Sequence, residues 1–299
     1  MRRGRADEVD LVGPGARVDV CGVPIDAVDL RQSLERIQTA VGSGQLLHVC
    51  TANLQFLVSA RRPPAVQRAL GSAGLNVADG APVVWLSRLL GHPVPGRVTG
   101  NDLVPALASM AEASGARLFL LGGTGGLADA TAEELRRRHP LLRITGTFEP
   151  PFAPLERMPN DEIIGRIREA GADILLVSLS HPKAELWIAA NRDRLPVSVA
   201  VNVGCTFDII AGRFRRAPGW ARRFGIEWLY RLAHEPRRLL PRYAECAVWL
   251  VAVLVPIAAW RRLVGDSTLI STVPSRAPTV TRAGGWESTT PRPFGEDTQ

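Results

Sequence analysis

The chain has 299 residues, of which 46% are hydrophobic and 22% charged. This is the composition of a globular protein of one large domain or two small ones, and it excludes a disordered or fibrous chain. The four cysteines lie far apart, without a CxxC pair or a Cys/His cluster, which argues against a disulfide framework and a structural zinc site and favours a reducing cytoplasm. The first ten residues turn acidic where a signal peptide would turn apolar, so we do not expect export.

The positive charge is concentrated near the C-terminal end of the sequence. The formal net charge is +7, and residues 213–262 alone hold eleven Arg against three Glu. Such a segment suits either a nucleic acid or an anionic membrane. Because it has no known nucleic-acid-reading motif and is rich in apolar residues, we expect an anionic membrane surface, and no nucleic acid, as its partner.

Apolar runs of strand length alternate with segments of helical periodicity. Strands are predicted at 46–51, 75–78, 117–122, 141–147, 173–179 and 197–204, and helices at 28–41, 101–114, 127–138 and 161–170. This alternation is typical of βαβ units and predicts an α/β fold, with a Rossmann-like, mostly parallel sheet and helices on both faces. The Pro-rich stretch 148–160 is predicted to be a loop, and the polar residues after Val264 a disordered tail.

Ligands of open α/β sheets bind where strands end and helices begin. After the strand 117–122 comes a turn of this kind, which contains Gly122, Gly123, Thr124 and Gly125 and leads into a helix. Glycines let the backbone approach a diphosphate, and the N–H groups of a helix N-terminus bind anions. The next strand ends in Thr and Gly instead of the acid that binds a dinucleotide ribose, so phosphate is favoured over NAD. A Gly-rich turn without a ligand is the alternative.

Three polar residues follow the first two strands of the predicted sheet. Asp79 precedes Gly80 directly after 75–78. Asp-Gly is a turn signal, yet a carboxylate at the carboxyl end of a strand can act as general base toward a bound hydroxyl. Thr51 and Asn53 offer a hydroxyl and an amide to a polar ligand, with a helix N-cap as the alternative for this segment.

The segment after the strand 173–179 reads His181-Pro182-Lys183-Ala184-Glu185. Lys183 is the only lysine of the sequence. Glu185 either pairs with it or lies in the first turn of a helix, where a carboxylate suits the helix dipole. His181 is interpreted as a turn residue. The sequence also lacks D-x-D, G-x-S-x-G, H-E-x-x-H and G-x-x-x-x-G-K-[ST], which counts against hydrolases, metalloproteases and NTPases, and no metal site is predicted.

Residues 246–260 form an uncharged apolar run of fifteen residues. A membrane-spanning helix needs roughly 20 apolar residues, and Pro256 interrupts this shorter run. Arginines flank the run on both sides, and Trp249 and Trp260 belong to it. An apolar body with an Arg rim and Trp residues predicts a helix that lies in the membrane interface. A core helix of the globular domain is the alternative.

Eight stretches of the sequence, spread over about residues 18 to 245, resemble the TagA/WecG/CpsF family of bacterial glycosyltransferases (N-acetylmannosaminyltransferase-like, glycosyltransferase family 26). They are CGVPIDAVDL, TANLQFLVSA, LNVADGAPVVW, GRVTGNDL, LFLLGGTGG, HPKAELW, VGCTFDIIAGRFRRAPGWARRFGIEWLYRL and HEPRRLLPRY. The resemblance implies an inverting, metal-independent enzyme without a cofactor. Its donor is a UDP-sugar, most often of the N-acetylmannosamine type, and its acceptor a polyprenyl-diphosphate-linked amino sugar.

The resemblance also implies where this chemistry takes place. Family members act in cell-surface polysaccharide or teichoic-acid-like biosynthesis, as cytoplasmic proteins peripheral on the inner face of the plasma membrane, and some form homo-oligomers. We accordingly divide the chain into a glycosyltransferase core over 15–212, a basic, membrane-facing helical appendage over 213–264 and a disordered tail over 265–299. The core has an acceptor and sugar half at about 15–115 and a nucleotide half at about 116–212.

Roles for individual residues follow from the same resemblance. Asp79 matches the proposed catalytic base and Arg97 an active-site arginine, while Thr51 and Asn53 match residues around the sugar. Without a metal, the departing diphosphate needs backbone N–H groups and guanidinium groups. The substrate-binding residues that are expected to supply these contacts, or to lie beside them, are Gly122, Gly123, Thr124, Gly125, Lys183 and Glu185, with Arg231, Arg237, Arg238 and Arg242 of the basic appendage, which closes over the site.

Two residues depart from the family's pattern. Ala184 stands where the family has the Gln of P-K-Q-E, and Cys205 stands where it usually has a small residue, often Gly. We therefore expect a change in sugar specificity or in activity. Two other functions stay open at this point: an NAD-type oxidoreductase that uses the Gly-rich turn, and a non-catalytic, membrane-bound UDP-sugar binder, which Ala184 motivates.

Overall fold

The computed structural model describes residues 16–61 and 63–264, without the side chains of residues 238, 255 and 257–264. The predicted disordered tail over 265–299 therefore lies outside the described residues.

Six parallel strands form the central sheet, in the order β4-β3-β8-β7-β5-β6. They are β3 (Leu47–Ala52), β4 (Leu75–Ala78), β5 (Arg117–Gly122), β6 (Arg143–Phe148), β7 (Ile174–Ser178) and β8 (Val199–Asn202). Two further strands, β1 (Arg17–Val20) and β2 (Val23–Asp26), pair with each other as an antiparallel hairpin. The prediction of an α/β fold with a parallel sheet is confirmed, and all six strands end at the same edge of that sheet.

Helices connect the strands and cover both faces of the sheet. Their bounds are α1 (Leu30–Ala40), α2 (Leu54–Ser59), α3 (Pro64–Ser72), α4 (Ala81–Leu89), α5 (Gly100–Ser114), α6 (Leu127–Arg138), α7 (Asn160–Ala170), α8 (Lys183–Ala190), α9 (Thr206–Ile210), α10 (Gly219–Arg223), α11 (Glu227–His234) and α12 (Pro236–Val264). Local sequence sets several starts: Asp29 and Gln32 form a reciprocal capping box at α1, and the Thr99 side chain accepts from the backbone N–H of Asp102 at α5. The Pro-rich loop holds one short 3₁₀ turn, Leu155–Arg157.

Both faces of the sheet are buried, which explains the nearly continuous apolar runs of the strands. In β5, Leu118 and Leu120 belong to a core cluster with residues of α1, α5, α6 and α9, whereas Phe119 and Leu121 belong to a cluster on the other face with residues of α7 and α8. Successive residues of a strand point to opposite faces, so each neighbour in the run needs an apolar side chain. The sheet is therefore a rigid base for the loops at its carboxyl edge.

The C-terminal helix α12 is continuous over 29 residues and contains both Pro241 and Pro256, so the predicted interruption at Pro256 is wrong. One face packs on the core, where Trp249 is buried beside partly buried Leu250 and Leu254. Val248 and Val251 on another face are 72% and 59% exposed. The core-helix alternative thus describes one face, and the membrane-interface role of the other face remains a prediction. None of the helices in the described part of the chain combines the length and apolar character that a membrane span requires.

Candidate active site

A cavity of about 870 Å³ lies at the carboxyl edge of the sheet, walled by the loops after β3, β4, β5, β7 and β8 and by α11 and α12. Parallel strands bring these loops together although they are far apart in the sequence. Nine of the residues predicted from the sequence line this cavity: Thr51, Asn53, Asp79, Arg97, Gly123, Thr124, Lys183, Arg231 and Arg242.

Four other predicted residues do not belong to the wall. Gly122 has φ of 110°, and a Cβ there would lie 2.3 Å from the carbonyl oxygen of Ser178, so this glycine serves the close approach of β5 and β7. The Gly125 carbonyl oxygen accepts from Arg213, Glu185 is buried beneath the wall, and Arg237 is exposed outside it. The side chain of Arg238 is not among those described.

Backbone hydrogen bonds fix Asp79 at the base of the cavity. Its N–H donates to the Ala52 carbonyl oxygen at 2.8 Å, which joins the ends of β4 and β3. The Val98 N–H donates to the Ala78 carbonyl oxygen at 2.8 Å and so brings Arg97 to the same strand end. Gly80, with φ of 99°, then turns the chain into α4. These main-chain contacts bring the segments that contain Asp79, Asn53 and Arg97 to the same strand ends, and all three residues line the cavity.

The surroundings of Asp79 raise the pKa of its carboxyl group toward neutral pH. Burial raises its pKa to about 7, with a further rise from the charge of Glu227, while Arg231 and Arg97 act in the opposite direction. A group that titrates near neutral pH accepts and releases a proton with little driving force against it, as a general base requires. The same carboxyl group at a solvated turn would stay ionised and would be a weak base.

The N-terminus of α6 is already occupied by a side chain of the protein. The two Glu149 carboxylate oxygens accept from the N–H groups of Gly126 and Ala128 at 3.0 and 2.8 Å. The anion at this helix end is thus the protein's own Glu149 carboxylate, and these two N–H groups already have a hydrogen-bond acceptor. The expectation that the start of this helix binds a diphosphate is not supported by this geometry, although Gly123 and Thr124 do line the cavity.

The charged side chains of the wall suit an anionic ligand. Five basic residues face three acidic ones within the part of the cavity lining that the structure describes: Arg97, Lys183, Arg213, Arg231 and Arg242 against Asp79, Asp208 and Glu227. Lys183 donates from Nζ to the Ala153 carbonyl oxygen at 2.5 Å, and loss of hydration lowers its pKa. The guanidinium groups are therefore the main candidates for binding phosphate oxygens.

The two departures from the family's pattern differ in location. Cys205 lines the cavity and forms a side-chain hydrogen bond with Arg231, and burial raises the pKa of its thiol. Ala184 is fully buried among Leu175, Val177 and Trp187 and does not line the cavity. Only Cys205 therefore changes the surface that a substrate meets, and the motive for a non-catalytic binder weakens.

Several wall residues were missed in the sequence analysis. Asn202 ends β8, and the rule that located Asp79 would have located it as well. His181 was interpreted as a turn residue and also lines the wall. Glu227, Trp228 and Tyr243 come from α11 and α12, and the apolar side of the cavity includes Trp85, Leu239 and Leu250. No local sequence pattern indicates that these helical residues line a cavity. Across the described residues, no three His, Cys, Asp or Glu side chains are grouped as a metal site.

Fold and site together define an α/β enzyme with a base candidate and a set of guanidinium groups in one cavity. Residues 18–263 match the profile of the "Glycosyl transferase WecG/TagA/CpsF family". The chain belongs to this family, as its motifs predicted, and it is a glycosyltransferase.

Two curated relatives share most of their length with the chain. The N-acetylglucosaminyldiphosphoundecaprenol N-acetyl-beta-D-mannosaminyltransferase of Bacillus spizizenii is 32% identical over 205 residues, which cover 67% of this chain and 78% of the relative. The protein of the same name from Staphylococcus aureus strain MW2 is 30% identical over 226 residues, which cover 75% and 87%. The alternative of an NAD-type oxidoreductase is not favoured.

Proposed function

We propose that this glycosyltransferase moves N-acetylmannosamine from a UDP-sugar to N-acetylglucosamine linked through a diphosphate to a polyprenol. The names of both relatives support the sugar and the acceptor. The observation that carries the mechanism is Asp79, a carboxyl group with a pKa of about 7 at the base of a cavity with several arginines.

In the proposed reaction Asp79 takes the proton of the acceptor hydroxyl as its oxygen attacks the anomeric carbon. The bond from that carbon to the UDP oxygen breaks on the opposite face, so the configuration inverts. Thr51 and Asn53, at the end of β3 beside Asp79, are proposed to hold the donor sugar. A hydroxyl and an amide at this point match the hydrogen-bonding groups of an N-acetylated hexose.

The departing diphosphate is proposed to meet guanidinium groups rather than a metal ion. Arg97 approaches from the β4 side, and Arg231 and Arg242 approach from α11 and α12. Charge-assisted hydrogen bonds from Arg are strong and well directed toward phosphate oxygens. Because Glu149 accepts from the backbone N–H groups of Gly126 and Ala128, these two groups are not part of the proposed diphosphate site.

We also propose that the enzyme works at the cytoplasmic face of the membrane. Of the eleven large hydrophobic side chains exposed on the described residues, eight lie within 213–264, the same segment that holds the basic cluster. Exposed apolar side chains among arginines suit a peripheral contact with anionic lipid. A polyprenyl-linked acceptor needs such a contact, since its lipid chain does not leave the bilayer.

A transfer assay tests the proposal directly. Purified protein is given a synthetic polyprenyl-diphosphate N-acetylglucosamine acceptor and a panel of UDP-sugars, with and without EDTA, and the lipid product is identified by its mass. We expect a disaccharide product with UDP-N-acetylmannosamine that persists in EDTA. Loss of product in EDTA would refute metal independence, and a product with another donor would correct the sugar.

A further inference from the structure

A row of polar side chains runs from the cavity wall, which His181 and Asn202 line, into the core, and the reaction above does not use it. The Glu185 Oε1 atom accepts a hydrogen bond from Asn202 Nδ2, and its Oε2 atom lies 3.2 Å from His181 Nδ1. On the far side of the imidazole ring, His181 Nε2 lies 2.6 Å from Ser59 Oγ. Four side chains from α2, α8, β8 and the loop before α8 are thus joined in one row.

This row is buried, and buried polar side chains destabilise a protein unless their polar atoms find partners. Glu185 is 0% exposed, Asn202 is 3% exposed and the His181 side chain is 7% exposed. Burying a carboxylate costs several kcal/mol unless hydrogen bonds or an opposite charge compensate it. For Glu185 a hydrogen bond from Asn202 supplies the compensation at Oε1, whereas Oε2 lies 3.2 Å from His181 Nδ1 without a hydrogen bond between the two atoms. The position of Glu185 therefore depends on both neighbours.

Both ends of the row reach the segment that contains Thr51 and Asn53. At one end, the Asn202 carbonyl oxygen accepts from Thr51 Oγ1 at 3.2 Å, and Asn202 itself lines the cavity. At the other end, the His181 ring stacks on Phe56 with centroids 4.0 Å apart, and Ser59 belongs to the same helix α2. Asn53 is the N-cap residue of α2, so His181 supports it through the helix.

We propose that His181 and Glu185 are positioning residues that hold Thr51 and Asn53 against the donor sugar. Glu185 acts through Asn202, and His181 acts through α2. Glu185 was expected to bind substrate, but it has no surface on the cavity, so its effect is indirect. The identity of the ligand as a sugar rests on the proposed function, whereas the mechanical coupling of these side chains does not.

The test compares two substitutions that remove different contacts. His181→Phe keeps a ring against Phe56 and loses both nitrogen contacts, and Glu185→Gln keeps the volume and loses the charge. We expect kcat to fall on the order of 10- to 100-fold in His181→Phe and Glu185→Gln, because small errors in substrate position cost that much. The affinity for UDP alone should stay within about two-fold, since the nucleotide does not depend on Thr51 or Asn53.

Further measurements decide the inference. The double variant His181→Phe/Glu185→Gln should lose no more activity than the worse single variant, because both break one unit. Glu162→Gln, an exposed carboxylate on α7, serves as the matched control. An unchanged kcat, additive losses, or a parallel loss of UDP affinity would overturn the positioning role. If the wild-type enzyme gives no product with any donor, the proposed function fails, and amide hydrogen exchange then tests the positioning role by itself. Faster exchange confined to residues 53–59 and 203–206 in both single variants supports that role. Unchanged exchange refutes it.

Discussion

Glu227 of α11 lies close enough to Asp79 of the β4–α4 turn for its negative charge to raise the pKa of the Asp79 carboxyl. Arg231, one turn further along α11, lowers the same pKa. The two residues are four positions apart and therefore share one face of the helix. A helix outside the sheet thus presents a positive and a negative charge to the base candidate, and the position of α11 adjusts the strength of that base.

Replacement of Asp79 tests its role in proton transfer. We expect Asp79→Asn to lower turnover by roughly 10²-fold or more, the usual loss when a general base is removed. UDP affinity should hardly change, because the amide keeps the shape of the side chain. Steady-state kinetics and calorimetric titration with UDP measure the two effects. Turnover close to wild type would exclude Asp79 as the base.

The same variant has a distinctive stability profile, which also shows that it is folded. Because the pKa of Asp79 is raised to about 7 in the folded protein, the folded state favours its neutral form. Stability is then lost as pH rises from the ordinary aspartate value of 3.8 to about 7, and the loss is complete above that value. Asp79→Asn lacks that loss. Its Tm should therefore equal or exceed that of the wild type at pH 8, and the difference in Tm between variant and wild type should be smaller or negative at pH 5. Thermal melts at both pH values measure the difference.

Removal of the Glu227 charge should change the pH dependence of the enzyme. In Glu227→Gln the pKa of Asp79 falls, because the charge that raises it is gone while Arg231 and Arg97 remain. The acidic limb of the kcat/KM profile should therefore move to lower pH. Glu245→Gln, at an exposed position on α12, makes the same change in net charge away from the site. An equal shift in both variants would refute a specific effect of Glu227.

The sequence predicted the strands and the first ring of site residues much better than the contacts from the C-terminal helices. Asp79 and Asn53 were found because strand ends in a parallel sheet share one edge, a rule that needs only local patterns. Glu227 and Tyr243 come from helices whose packing depends on distant parts of the chain, so no local pattern reveals that they line the cavity. The hairpin of β1 and β2 was missed, since its strands RVDV and VPID are not continuous apolar runs.

Glu149 shows why a motif can predict a turn correctly and still leave the ligand of that turn undecided. The Gly-rich turn and helix start lie where predicted, yet a carboxylate 21 to 23 residues further along the chain reaches back to cap the helix. A pattern of glycines carries no information about a side chain that arrives from the next strand. Of the two alternatives for Glu185, a pair with Lys183 or a place in the first turn of a helix, the structure shows the second, and the side chain binds Asn202 in the core.

Removal of the Glu149 cap distinguishes the two possible places for the diphosphate. Glu149→Ala should destabilise the protein by about 1 kcal/mol, the usual cost of losing an N-terminal cap. If arginines bind the diphosphate, UDP affinity should stay nearly constant. Glu149→Gln keeps an acceptor oxygen and is the matched control. A marked rise in UDP affinity in Glu149→Ala alone would show that the helix N-terminus is the phosphate site after all.

Cys205 offers a chemical probe of the cavity wall. Burial raises the pKa of its thiol, so little thiolate is present at pH 7 and alkylation should be slow. A Cys21→Ser background removes the other partly exposed cysteine, since Cys50 and Cys246 are buried. In that background, UDP should slow the labelling of Cys205 by iodoacetamide further, because Cys205 lies beside Arg231 in the cavity. Labelling that is insensitive to saturating UDP would place the nucleotide away from this wall.

The exposed face of α12 should determine membrane binding. In Val248→Glu/Val251→Glu two exposed apolar side chains become acidic, which removes apolar contact and repels anionic lipid. We expect sedimentation with phosphatidylglycerol vesicles to be lost, while transfer to a soluble short-chain acceptor is retained, since neither valine lines the cavity. Leu141→Glu, at an exposed position before β6, is the matched control. Unchanged sedimentation of the double variant would exclude this face as the membrane contact, whereas equal losses in the control would indicate a nonspecific charge effect.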